Sequence, residues 1–302
     1  MNRIERWREK CYSEVPAHLY RDLQQFRSRH PYRRLSIAGH DWSYIKSDGG
    51  SDAILMLCGS TVSGESNWRE FPRFSPDFSV VSPSYPPVES VESLVEGVRA
   101  ILDAENIERA HIVGASMGAA IAHCFVRRYP ERVGKLVLIS LGWPDEAAVA
   151  AMKKAVRSFS LVPAFVIRSL FMREAERLVS ALPAGEAALM AAYSRDLYRN
   201  DVDKRTILGH FRLVAEMASR KRELGLDKPL ESDHSVLIIN AADDDSFSPE
   251  ARKAILDTYP NARAHLFESG GHTLFGRREE LYGIIGAFLR EASPKRDVLH
   301  LS

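Results

Sequence analysis

The segment Gly114-Ala115-Ser116-Met117-Gly118 restricts what this chain can fold into more than any other. It matches the pattern G-x-S-x-G and lies between stretches of different character. Before it, Ala110-His111-Ile112-Val113 reads as a short buried strand, and after it Ala119 to Val126 reads as a helix. A strand that enters a helix through a serine flanked by two glycines must turn sharply, and a side chain at 114 or 118 would crowd the backbone there. Such a turn lifts the Ser116 hydroxyl to the carboxyl edge of a sheet. It also aims the Met117 amide, at a helix N-terminus, towards the same point.

The rest of the chain repeats this alternation. Ala53–Cys58, Phe78–Val81, Val133–Ser140, Ser235–Asn240 and Ala262–Glu268 are apolar runs of strand length, and Val91 to Leu102 carries its apolar residues at helical spacing. Arg33 to Lys46 reads as a hairpin about Ala38-Gly39-His40-Asp41. Strands alternating with helices imply a mostly parallel sheet covered on both faces. Residues 1 to 30 read as a polar helical prelude with Leu19, Leu23 and Phe26 on one face. Between Leu141 and Asp233 the strand signal disappears. Ala147–Ser158, Phe165–Ser180, Glu186–Asn200 and Val202–Leu224 are helical by composition. The apolar residues Phe159, Leu161, Phe165, Ile167, Leu170, Phe171 and Met172 in this stretch are expected to line a pocket or, more simply, to pack the insertion on the core.

With 302 residues and a formal net charge of +1, the chain is long enough for a large core and shows no electrostatic case for nucleic acid or an anionic membrane. The opening residues Met1 to Arg8 hold no apolar run, so no signal peptide is expected. The apolar run Leu161 to Ile167 is cut by Arg168 and is too short to span a bilayer. Cys11, Cys58 and Cys124 have no metal-ligand spacing and no even-numbered framework. A cytoplasmic location is expected.

Together these segments resemble the α/β-hydrolase superfamily from about residue 33 onward. The resemblance implies an α/β-hydrolase fold divided into an N-terminal helical extension (1–32), a core (33–140 and 234–302) and a helical lid (141–233). It also implies that a general base and an orienting acid follow the serine in the order Ser, Asp or Glu, His. The strand Ser235–Asn240 runs into Ala241-Ala242-Asp243-Asp244-Asp245. On the family pattern of strand, then G-x-x-D, Ala241 stands at the glycine and Asp244 at the acid, with Asp243 the alternative. His272 sits in Ser269-Gly270-Gly271-His272, a glycine-rich loop just after the last strand, where the fold carries its base. His111, His123 and His265 lack this context. The oxyanion hole is expected from the backbone N–H groups of Met117 and Ser60, with Thr61 second to Ser60. Neither a metal nor an organic cofactor is expected.

A narrower resemblance is to maspardin-like proteins. It is carried by Thr61-Val62-Ser63-Gly64, Val80 to Pro86, Gly114 to Ala119, Leu161 to Phe165 and Tyr259 to Leu266. That branch implies a possible protein partner and a role in binding rather than catalysis. Cys58 stands where relatives carry histidine before the oxyanion glycine, and Pro83-Ser84-Tyr85-Pro86-Pro87 replaces a Gly-His-Gly-type loop. The complete set of Ser116, Asp244 and His272 points the other way. It leads to the expectation of a serine hydrolase acting on a small-molecule carboxylic ester or thioester through an acyl-enzyme.

Overall fold

The hydrophobic pattern sorts the chain into strands apolar on both sides and helices apolar on one. The computed structural model describes residues 3–180, 182–230 and 233–292. Residues 1–2, assigned from the sequence to the extension, 181 and 231–232, assigned to the lid, and 293–302, assigned to the core, lie outside the described residues. Helices α1 (Arg3–Cys11) and α2 (Ala17–Arg29) precede a hairpin of β1 (Arg33–Ile37) and β2 (His40–Ser47). Then come β3 (Asp52–Leu57), the single-turn α3 (Phe71–Phe74), β4 (Phe78–Ser84) and α4 (Val91–Ala104). β5 (Ala110–Ala115), α5 (Met117–Arg128) and β6 (Val133–Ile139) follow. Next is a helical insertion: α6 (Glu146–Leu161), α7 (Ala164–Val179), α8 (Ala184–Asn200) and α9 (Lys204–Ser219). The chain closes with β7 (Val236–Ala241), α10 (Pro249–Thr258), β8 (Arg263–Phe267) and α11 (Arg278–Arg290).

The strands form one sheet in the order β1-β2-β4-β3-β5-β6-β7-β8. β2 runs antiparallel to β1 and β4, and the pairs from β4 to β8 are parallel. Alternate residues of each central strand feed two separate cores, as the two-residue period requires. Ala53, Leu55 and Leu57 of β3, with Leu136 and Leu138 of β6, pack against α4, α5 and α10. Ile54, Met56, Val137 and Ile139 point to the other face, towards α2, α3 and α11. Both faces are covered, which is why these strands read as continuous apolar runs.

Three features depart from the sequence reading. The helical prelude is two helices, broken before Pro16, which stands at the N-cap of α2. The helix expected to reach Leu224 ends at Ser219, and the chain then passes through Gly225 in the left-handed region (φ +65°). Helix α11 has no counterpart among the expected elements. It buries Leu281, Ile285, Phe288 and Leu289 on one side.

A buried ion network joins the N-terminal helices to the insertion. Asp196 of α8, whose side chain is fully buried, meets Arg8 at 3.0 Å and Arg27 at 2.9 Å, and Tyr12 donates its hydroxyl to the same carboxylate. Arg27 also grips Glu65, in the turn after β3. Burial opposes the charged form of Asp196, but the two guanidinium groups outweigh it and hold the carboxyl below its usual range.

Candidate active site

Ser116 occupies the turn between β5 and α5 with φ +53° and ψ −119°, a conformation that a side chain rarely takes. Neighbouring backbone holds it there. The Ser116 amide donates to Ile139 O of the adjacent strand (2.9 Å), and its carbonyl accepts from the amides of Ala119 and Ala120. The flanking glycine is required by contact, since a Cβ on Gly118 would lie 2.0 Å from Leu57 O. Met117 is the first residue of α5, so its N–H has no acceptor one turn back.

The structure brings three of the sequence candidates together at the carboxyl ends of β5, β7 and β8. His272 Nε2 lies 2.9 Å from Ser116 Oγ, and His272 Nδ1 lies 2.9 Å from Asp244 Oδ2. Asp244 is buried, and its other oxygen accepts the Ser246 amide at 2.8 Å. Burial disfavours its charge. The hydrogen bond and charge of His272, with the Ser246 amide, overcome that and keep the carboxyl below its usual range. Asp243, the alternative acid, faces elsewhere. Its carboxylate accepts the amides of Gly270 (3.2 Å) and Gly271 (2.8 Å), and these bonds lower its pKa. Asp243 thus ties the β7 turn to the loop that carries His272. Gly271 in that loop has φ +60°, and Phe247 lies beside the imidazole with centroids 5.7 Å apart.

The loop after β3 also reaches the serine. A Cβ on Gly59 would sit 3.7 Å from Ser116 Cβ. Of the two amides considered there, that of Thr61 is committed. It donates to His210 Nδ1 at 2.9 Å, and His210 Nε2 donates to Tyr85 O at 3.0 Å. Both partners require the neutral ring, and burial pushes the His210 pKa down. Tyr85 in turn donates its hydroxyl to Cys58 O, and Tyr198 of α8 donates to Thr61 Oγ1 at 3.4 Å. Thus α8 and α9 of the insertion grip the loop that carries Ser60. Sequence reasoning missed His210 and Tyr198. Their partners are 149 and 137 residues away in the chain, and no local pattern marks them.

The histidines and cysteines given no site role by the sequence lie outside the site. His123 is buried between Tyr259 Oη and Leu226 O, and the ring of His111 accepts the Lys135 amide. Cys58 and Cys124 are buried, and burial pushes both thiols up to about 12. Among the described residues no group of three or more His, Cys, Asp or Glu side chains could hold a metal, and no helix is long and apolar enough to cross a membrane. Of the apolar residues expected to line a pocket or pack the insertion, Ile167 is buried and Phe159, Phe171 and Met172 are partly buried against the core. Leu161, Phe165 and Leu170 do neither and face solvent.

A hydroxyl, an imidazole and a buried carboxylate linked in this order can move a proton off the hydroxyl as it attacks an acyl carbon. Comparisons with known proteins agree with the architecture. The family model for the alpha/beta hydrolase fold matches residues 57–278. Maspardin of Danio rerio is 24% identical over 279 residues, covering 89% of this chain and 86% of that protein. A 2-hydroxy-6-oxo-6-phenylhexa-2,4-dienoate hydrolase of Burkholderia cepacia is 30% identical over 114 residues, 33% of this chain and 40% of its own. Among solved structures, a hydrolase from Pseudomonas aeruginosa superposes with a TM-score of 0.71 at 16% identity, over 86% of this chain and 99% of that one.

Proposed function

We propose that this chain, which belongs to the α/β-hydrolase family, is a serine hydrolase that cleaves a carboxylic ester or thioester through an acyl-enzyme. The observation that carries the reading is the continuous path Ser116 Oγ, His272, Asp244, with 2.9 Å at each step. In this mechanism Ser116 attacks the carbonyl while His272 Nε2 takes its proton. Asp244 holds Nδ1–H and stabilises the imidazolium. The developing oxyanion is met by the N–H groups of Met117 and Ser60. Ser60 is preferred because the Thr61 amide is engaged by His210. His272 then protonates the leaving group, and water, activated by the same imidazole, releases the acid. Helices α6 to α9 act as the lid over the acyl group. A substrate cleaved at a carbon–carbon bond would use the same residues, with the carbon leaving group protonated in place of an alcohol or thiol.

A second reading, a maspardin-like binding protein, is favoured by one observation: the likeness to maspardin runs over most of both chains, whereas that to the dienoate hydrolase covers only a third of this one. Turnover separates the two. Wild type, Ser116→Ala and His272→Ala are compared on p-nitrophenyl esters and acyl thioesters of increasing chain length. The hydrolase reading expects turnover that falls by several orders of magnitude in either variant. Equal rates in all three proteins would refute it.

A further inference from the structure

The corner between α6 and α7 presents two large apolar side chains to solvent, Leu161 at 88% and Phe165 at 68% exposure. It is not a loose loop. Lys204 Nζ donates to the carbonyls of Ser160 (2.6 Å) and Val162 (2.7 Å) and fixes the end of α6. Along the chain through the corner the charge is one-sided. From Ala147 to Arg173 there are five basic residues, Lys153, Lys154, Arg157, Arg168 and Arg173, and no Asp or Glu. None of the five forms an ion pair among the described residues. Of the acids that flank the run, Asp145 caps the Ala148 amide at the far end of α6, beside Glu146, while Glu174 and Glu176 are paired with Arg177 and Arg195.

Helical spacing gathers these groups. Lys154, Arg157 and Leu161 are three and then four residues apart, so they share one solvent face of α6. One step round the helix, Lys153 and Arg157 meet Arg212 of α9 at a cavity of about 270 Å³. Glu216 is the acid on its wall, and Arg220 holds it at 2.6 Å. The chain as a whole is near neutral, so this concentration of unpaired positive charge is local.

We propose that the α6–α7 corner docks on the surface of an anionic lipid bilayer. Leu161 and Phe165 enter the boundary between headgroups and acyl chains. Lys154 and Arg157 meet headgroup phosphates and carboxylates, and the cavity ringed by Lys153, Arg157 and Arg212 receives one headgroup. A bilayer supplies both complements at once, hydrocarbon for the corner and negative charge for the cations beside it. The inference does not depend on the hydrolase reading.

The test is flotation of the full chain with phosphatidylcholine vesicles, with and without phosphatidylserine, at low and raised salt. Wild type should float with the anionic vesicles, be left behind by the neutral ones, and lose binding as salt rises. The double variant Leu161→Asp/Phe165→Asp should bind at least about tenfold more weakly. Lys154→Gln/Arg157→Gln should weaken binding about 25-fold, at about fivefold per cation. All four side chains are exposed, so both variants should melt with wild type. No flotation of wild type with anionic vesicles would overturn the proposal, as would a binding change within twofold in either variant. Sedimentation velocity shows whether a second copy covers the corner. A wild-type dimer that the aspartates dissociate would also overturn it.

Discussion

Exchanging Asp244 for asparagine tests which acid serves His272, and the hydrogen bonds predict how the change acts. The side chain at 244 is buried and has two neighbours with fixed roles. The Ser246 amide can only donate, at 2.8 Å from Oδ1, and His272 Nδ1 lies 2.9 Å from Oδ2. In Asp244→Asn the amide oxygen must face the Ser246 N–H, because the reverse orientation sets two donors against each other. The new NH2 group therefore faces His272 and makes Nδ1 an acceptor. The ring proton then sits on Nε2 and points at Ser116 Oγ, so the imidazole cannot take the serine proton. A wrong tautomer of this kind costs about 10⁴-fold in rate, or about 5–6 kcal/mol of transition-state stabilisation. Asp243→Asn behaves differently. One side-chain oxygen remains for the Gly271 amide, the group is solvent-exposed, and the loss should stay within about tenfold. The second-order rate of serine labelling by a fluorophosphonate reads both variants without knowledge of the substrate, and a thermal melt confirms that each is folded. Asp243→Asn proving the more damaging change in folded protein would refute the assignment of Asp244.

Other parts of the molecule carry their own expectations. His210→Ala strands the Thr61 amide and the Tyr85 carbonyl, and the shift of the Ser60 loop should slow labelling by about 10–100-fold. His210→Asn, whose side-chain oxygen reaches the Nδ1 position, should recover much of that rate. Failure of the rescue would contradict a positioning role through Thr61. Gly118→Ala sets a methyl against Leu57 O and should destabilise by about 1–3 kcal/mol or more in urea unfolding; an unchanged midpoint would show that the turn has room to give. Arg27→Met leaves Glu65 without a guanidinium and Asp196 with only Arg8, which should cost about 3–5 kcal/mol. Asp196 is held below its usual pKa, so in wild type its contribution is complete above about pH 4 and is lost as pH falls through the lower folded value. The penalty of Arg27→Met, measured by unfolding across pH, should therefore shrink on acidification. A constant penalty would mean that the Asp196 carboxylate does not depend on Arg27.

The sheet and the serine turn could be read in the sequence because their signals are local. Two glycines about Ser116 and an apolar run on each side suffice to specify strand, turn and helix. His272 was legible for a similar reason, a Gly-Gly pair after the last apolar run. The acid was harder to fix. Asp243, Asp244 and Asp245 are adjacent in the chain, and a turn closed by the Asp244 amide on Ala241 O decides which carboxylate points inward. The helices of the insertion followed from composition, but their grip on the Ser60 loop through His210 and Tyr198 joins residues far apart in the chain. The network of Arg8, Arg27, Glu65 and Asp196 was hidden because charged side chains read as surface until a partner is known to lie opposite. Leu161 and Phe165 misled in the opposite sense: apolar residues beside a helix end read as lining or core, and these two face solvent. Whole-chain charge likewise conceals the five-cation run beside them, since it sums the charges without regard to position.

Reaction with a fluorophosphonate probe, followed by intact mass, tests directly whether Ser116 is an activated nucleophile. Wild type should gain one adduct, and Ser116→Ala, folded to the same melting temperature, should gain none. Folded wild type that stays unlabelled, or an adduct that persists in Ser116→Ala, would contradict a nucleophile at Ser116.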